Sequence, residues 1–76
     1  MEIKITMQVL RANAGLTAQQ VAQELGVAES SVRNWDKGRT EPTLRLEQIK
    51  QLTQLYGCTL DDLIDAVKNS KSELDD

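Results

Sequence analysis

The groups able to do directional chemistry in this chain lie close together in one short stretch. Glu29, Ser30, Arg33 and Asn34 all fall between residues 29 and 34. An arginine fork donates two parallel hydrogen bonds, an asparagine amide donates and accepts, a carboxylate accepts, and a serine hydroxyl does either. On a helix these positions share one edge. This is binding chemistry. The residues needed for turnover are missing: the chain has no His, and its single cysteine, Cys58, allows neither an intrachain disulfide nor a thiolate metal cluster. With no paired buried carboxylates and no glycine-rich phosphate loop either, the sequence contains no catalytic constellation. The expectation is therefore a non-enzyme with no cofactor, no metal and no evident small-molecule ligand.

The elements that must hold this edge are helical. With 39% hydrophobic residues, no Phe, and Trp35 and Tyr56 as the only aromatics, the core must be built mostly from Leu, Ile, Val and Ala, which suits packed helices. Seventy-six residues make one domain of modest stability. Apolar periodicity and punctuation predict five helices. The first spans about residues 4 to 13, with Ile5 and Val9 facing inward, joined by Met7 and Leu10, and ends at Gly15. The second opens at Thr17, which forms a capping box with Gln20, and closes at Gly26. The third runs from Glu29 to Lys37, with Val32 and Trp35 on its apolar side. Ala28 precedes it as an N-cap without a capping side chain, about 1 kcal/mol poorer than a serine.

After a polar loop from Gly38 to Pro42, the fourth helix spans residues 46 to 56, with Ile49, Leu52 and Tyr56 on one stripe. The fifth is capped by Thr59 and carries Leu60, Leu63, Ile64 and Val67. Asp61 and Asp62 stand at its positive end. A single helical domain over residues 1–68 and a flexible acidic C-terminal tail over 69–76 are expected.

Charge is unevenly distributed. Up to Leu60 there are seven basic and six acidic residues; from Asp61 onward there are two basic and six acidic. The net charge of −3 thus reflects acidity at one end, and local distribution governs docking more than the total does. No apolar run approaches the roughly eighteen residues of a membrane span. Met1 to Leu10 is too poor in consecutive apolar residues to be a signal peptide. A soluble, cytoplasmic protein without a membrane association is expected.

The stretch Ala18–Lys37 has the makings of two helices crossing at a sharp angle. Val21, Leu25, Val27, Val32 and Trp35 supply facing apolar residues, Ala22 the small residue at the crossing, and Gly26 the turn. With Leu10-Arg11, Gly15-Leu16-Thr17, Ser31-Val32, Asp36, Gly38, Pro42 and Leu60-Asp61-Asp62-Leu63, the chain resembles the lambda-repressor-like (XRE and Cro type) helix-turn-helix family over about residues 5 to 65. The resemblance implies an all-α, five-helix lambda-repressor-like DNA-binding domain. It also implies a small transcriptional regulator, repressor-like, that reads a short duplex with its third helix in the major groove.

Carried over residue by residue, the resemblance makes Glu29, Ser30 and Asn34 base readers, with Arg33 on a base edge or on phosphate. Arg suits guanine, Asn adenine and Glu cytosine. Lys37, Arg39 and Thr40 match the phosphate-contacting loop, and Thr17 and Gln19 stand at a helix N-terminus suited to phosphate. Two departures stand out: Ala18 replaces the family's usual phosphate-binding Gln, and the passage from Pro42 to Ile49 is two residues longer than usual. Arg11 and Asp36 match a partly buried, bidentate structural pair, and Trp35 and Cys58 are read as core. The partners implied are double-stranded DNA and a second copy of the chain, at least on DNA, using Leu44, Leu46 or the last two helices. The alternative is a protein-interaction module, such as an antitoxin-like or anti-repressor subunit, motivated by the acidic end.

Overall fold

The computed structural model describes residues 4–74. It consists of five helices: α1 (Met7–Asn13), α2 (Ala18–Leu25), α3 (Glu29–Asp36), α4 (Leu46–Tyr56) and α5 (Leu60–Leu74). No strand occurs among the described residues, so the all-α, five-helix expectation holds.

Thr6 starts α1. Its hydroxyl accepts from the Val9 amide at 3.2 Å, and its own backbone is extended. The helix therefore begins at Met7 rather than near Lys4, and this changes its buried face. Met7 and Leu10 point inward, whereas Ile5 is exposed and Val9 only half-buried. For α2 the capping box forms as the sequence suggests: Thr17 Oγ1 accepts from the Gln20 amide at 3.1 Å, and Gln20 Oε1 accepts from the Thr17 amide at 2.8 Å. Gly26 ends α2 with a φ of 72°, a left-handed conformation that a residue with a Cβ adopts only at a cost.

α2 packs most closely on α3. Val21, Ala22 and Leu25 meet Val32 and Trp35 in the core, which Met7, Leu10, Ala18, Leu52, Tyr56, Leu63 and Ala66 complete. α4 spans the expected residues. At its start Leu46 is 84% exposed, while Leu44 packs partly against the core. Thr59 and Asp62 cap α5 reciprocally, at 3.1 and 3.2 Å.

α5 differs from expectation in two ways. Its buried stripe is Leu63, Ala66 and Ser70, and Leu60 and Ile64 are exposed. The helix lies against α1, α3 and α4 at once, and the small residues Ala66 and Ser70 permit that close approach. The second difference corrects the expected tail: Asn69, Ser70 and Lys71 continue α5, which runs on to Leu74. The hydroxyl of Ser70 is buried against α1 and accepts from the Met7 amide, which is why the helix persists there. Asp75 and Asp76 lie outside the described residues. No helix among the described residues is long and apolar enough to cross a membrane.

Candidate nucleic-acid interface

The periodicity of α3 divides it into two faces. Val32 and Trp35 are buried, which confirms Trp35 as core and turns the opposite edge outward. Ser30 and Arg33 are exposed on that edge, and Glu29 and Asn34 are half-buried. Glu29 and Arg33 are joined: Arg33 Nε donates to Glu29 Oε2 at 2.8 Å, and Nη2 lies 2.7 Å from the same oxygen. This i,i+4 pair was not read from the sequence, although its spacing allows it. It pre-orients the Arg33 fork and partly neutralises it.

Lys37, Arg39 and Thr40 follow α3 and are exposed. Their backbone is held by a Schellman motif. The Gly38 amide donates to the Trp35 carbonyl at 3.1 Å, and the Arg39 amide donates to the Asn34 carbonyl at 3.0 Å. Gly38 has a φ of 73°, so the turn that brings Arg39 out depends on a glycine.

At the start of α2, Thr17 and Gln19 are exposed. The Gln20 amide is taken by Thr17 Oγ1 and the Val21 amide by the Thr17 carbonyl. The amides of Ala18 and Gln19 are thus the two left at this positive helix end. Ala18 itself is buried. With an alanine there, the position presents no polar side chain at this helix end.

Behind these surfaces lies a polar brace. Arg11 Nε donates to Asp36 Oδ2 at 2.8 Å, and Arg11 Nη1 donates to the Leu16 carbonyl at 2.9 Å. The expected bidentate grip on Asp36 is corrected: one arm of the fork holds the carboxylate and the other holds the α1–α2 loop. Asp36 Oδ1 and the Tyr56 hydroxyl are buried with no hydrogen-bond partner. Burial raises the pKa of Asp36 despite the opposing pull of Arg11. Burial, and then the Asp36 charge, push the Tyr56 phenol well above its ordinary value. Cys58 is free and half-buried. Burial, and then Asp62, raise its thiol pKa, in keeping with a small apolar filler.

Two supports are invisible in the sequence. Gln48 Nε2 donates to the Leu25 carbonyl at 3.0 Å, and Gln51 Nε2 to the Glu24 carbonyl at 2.7 Å. Both carbonyls belong to the last turn of α2, where helical partners run out, so α4 caps the helix that carries α3. Among the described residues no group of His, Cys, Asp and Glu side chains could hold a metal ion.

Comparison with known proteins agrees with this geometry. No solved structure matches the chain. It is similar to the HTH-type transcriptional activator BcrR of Enterococcus faecalis, with 30% identity over 64 residues. The match covers 84% of this chain but only 30% of the activator. A family model described as a helix-turn-helix domain matches residues 5–67, which include every helix from α1 to α4, the first half of α5 and the whole candidate surface, and the chain belongs to that helix-turn-helix family.

Proposed function

We propose that the chain binds double-stranded DNA sequence-specifically and regulates transcription, with α3 in the major groove. The observation that carries this reading is the division of α3. Its Val32–Trp35 side is locked into the core, and its Ser30–Arg33 edge is exposed. A phosphate-compatible backbone end at α2 and the Lys37–Thr40 loop serve as anchors.

In this reading Glu29, Ser30, Arg33 and Asn34 meet base edges, and Thr17, Gln19, Lys37, Arg39 and Thr40 meet phosphates. One module of this size reads only a few base pairs, so useful specificity calls for a symmetric pair of copies on a two-fold site. Leu46, Leu60 and Ile64 are exposed apolar residues on the elements proposed for that contact. No catalysis or cofactor is involved, and the protein works in the cytoplasm on the DNA there.

The test is selection of bound duplexes from a random pool, followed by titration at several salt concentrations. A recovered two-fold consensus whose affinity falls steeply with salt supports the reading. Failure to enrich any duplex, with a stoichiometric protein partner captured instead, replaces it with the protein-interaction alternative.

A further inference from the structure

Three consecutive residues of α5 reach two distant parts of the chain, the start of α1 and the loop after α3. Asn69 Nδ2 donates to the Ile5 carbonyl at 2.9 Å. Ser70 Oγ accepts from the Met7 amide at 3.0 Å and donates to the Ala66 carbonyl at 2.8 Å. Lys71 Nζ donates to the Glu41 carboxylate. A fourth contact is made by backbone alone. A Cβ built on Gly38 would lie 2.2 Å from the Ser70 carbonyl oxygen, 2.5 Å from its carbon and 2.9 Å from the Lys71 nitrogen. The turn ending α3 therefore rests directly on the backbone of α5.

Arg39 and Thr40 lie between these ties, with Gly38 seated on Ser70 before them and Glu41 paired with Lys71 after them. We propose that the C-terminal part of α5 is a clamp that fixes the Lys37–Glu41 loop for phosphate binding, and that Ser70 is its positioning residue. This rests on the DNA-binding reading above.

The physical argument has three parts. Ser70 is 2% exposed, and its hydroxyl is engaged as both donor and acceptor, so it fixes the height of α5 against α1. The Gly38 contact passes that height to the loop, because backbone on backbone has no flexible side chain to absorb a shift. A loop tied at both ends has less freedom to lose when it meets phosphate. The Lys71 pair also neutralises Glu41, a carboxylate that would otherwise stand unpaired beside an approaching phosphodiester.

The experiment compares full-length wild type with Ser70→Ala, which changes no charge. Binding to the selected duplex and to an unrelated duplex is measured across salt concentrations, at a temperature where circular dichroism shows both proteins folded. Ser70→Ala is expected to weaken both duplexes by the same factor, about three- to tenfold. The slope of log affinity against log salt should shrink by about one phosphate contact, with the preference between duplexes unchanged. Leu55→Ala, which truncates a half-buried α4 side chain packed against the core, serves as the stability control and should keep the wild-type slope.

Hydrogen exchange without DNA gives a second readout, applied also to Lys71→Met in case Ser70→Ala does not fold. Exchange at the Gly38 and Arg39 amides should rise by more than at Gly26 and Val27. Wild-type slope together with wild-type exchange at Gly38 and Arg39 overturns the clamp, as does a Leu55→Ala variant that loses slope equally. A wild-type chain that binds no duplex defeats instead the reading on which the clamp rests.

Discussion

Arg11 and Asp36 lie 25 residues apart in sequence, yet Arg11 Nε donates to Asp36 Oδ2 at 2.8 Å, joining α1 to the last turn of α3. The Asp36 side chain is only 8% exposed, and its second oxygen has no partner. Removing the arginine would leave a buried carboxylate with nothing to offset its desolvation, and breaking such pairs costs about 3 kcal/mol or more. Arg11→Ala should therefore be strongly destabilised at neutral pH.

The pH dependence of that loss carries the stronger test. Burial already raises the Asp36 pKa above its ordinary 3.8, and without Arg11 nothing of comparable weight opposes it. A carboxyl whose folded pKa exceeds its unfolded one holds its proton more tightly when folded, so stability falls as pH rises between the two values. Denaturant titrations of Arg11→Ala should accordingly recover part of the lost stability on going from neutral pH toward 4. An equal deficit at every pH would mean that the arginine acts through packing alone.

Arg33 and Arg39 should fail differently when truncated. Arg33 is on the outer edge of α3, its fork already oriented by Glu29. Arg33→Ala should cost about 1–3 kcal/mol on the preferred duplex and relax sequence choice. Arg39 leaves the turn after α3, so Arg39→Ala should weaken all duplexes alike and flatten the salt dependence. Competition binding with matched and mismatched duplexes separates the two. Identical behaviour of the variants on every sequence would erase the division between readers and anchors.

What the sequence revealed and what it hid follow a physical line. Capping boxes and glycine stops are local, so the limits of α2, α3 and α4 and the caps of Thr17 and Thr59 were legible from residue order alone. The α2–α3 core was legible for a related reason, because its apolar spacing encodes the crossing. At α1 the apolar pattern favoured Ile5 and Val9, and the Thr6 cap, unread in the sequence, starts the helix at Met7 instead. The course of α5 beyond Lys68 was not legible, because Asn69, Ser70 and Lys71 look like a polar tail until their distant partners are known. Gln48 and Gln51 were hidden in the same way, since nothing in a glutamine announces which carbonyl it will cap. On α3, Ser30 and Arg33 lie exposed as expected, but the Glu29–Arg33 pair shows that two candidate readers first bind each other.

Gln48 ties α4 to the hinge of the motif. Its amide nitrogen donates to the Leu25 carbonyl, while its oxygen accepts from the Arg45 amide at 2.9 Å. Gln48→Ala removes both, and each net hydrogen bond is worth about 1 kcal/mol. A loss of about 1–2 kcal/mol in urea denaturation is expected, with helix content unchanged. Gln48→Glu should retain the Arg45 contact but place an anion against the Leu25 carbonyl, and so be no better than alanine. A glutamate variant as stable as wild type would show that the Leu25 bond contributes nothing.

Tyr56 offers a test at the alkaline end. It is the only tyrosine, so its ionisation near 295 nm is read without interference from another phenol. Its hydroxyl is buried without a partner, and burial, then the Asp36 charge, raise its pKa well above the ordinary 10.0. The unfolded chain loses this proton near pH 10 while the folded chain keeps it. Above that pH the folded state binds more protons than the unfolded one, and stability must fall as pH rises, by up to about 1.4 kcal/mol per pH unit from this one group. Below pH 9 the group contributes no pH dependence. Tyr56→Phe removes both the titration and an unsatisfied polar atom, so it should match or slightly exceed wild type at neutral pH and lose stability less steeply between pH 10 and 11. The folded wild type should show no phenolate absorbance until it unfolds. A phenol that titrates near pH 10 in the folded protein, with Tyr56→Phe as alkali-sensitive as wild type, would place the hydroxyl in contact with solvent and refute its burial.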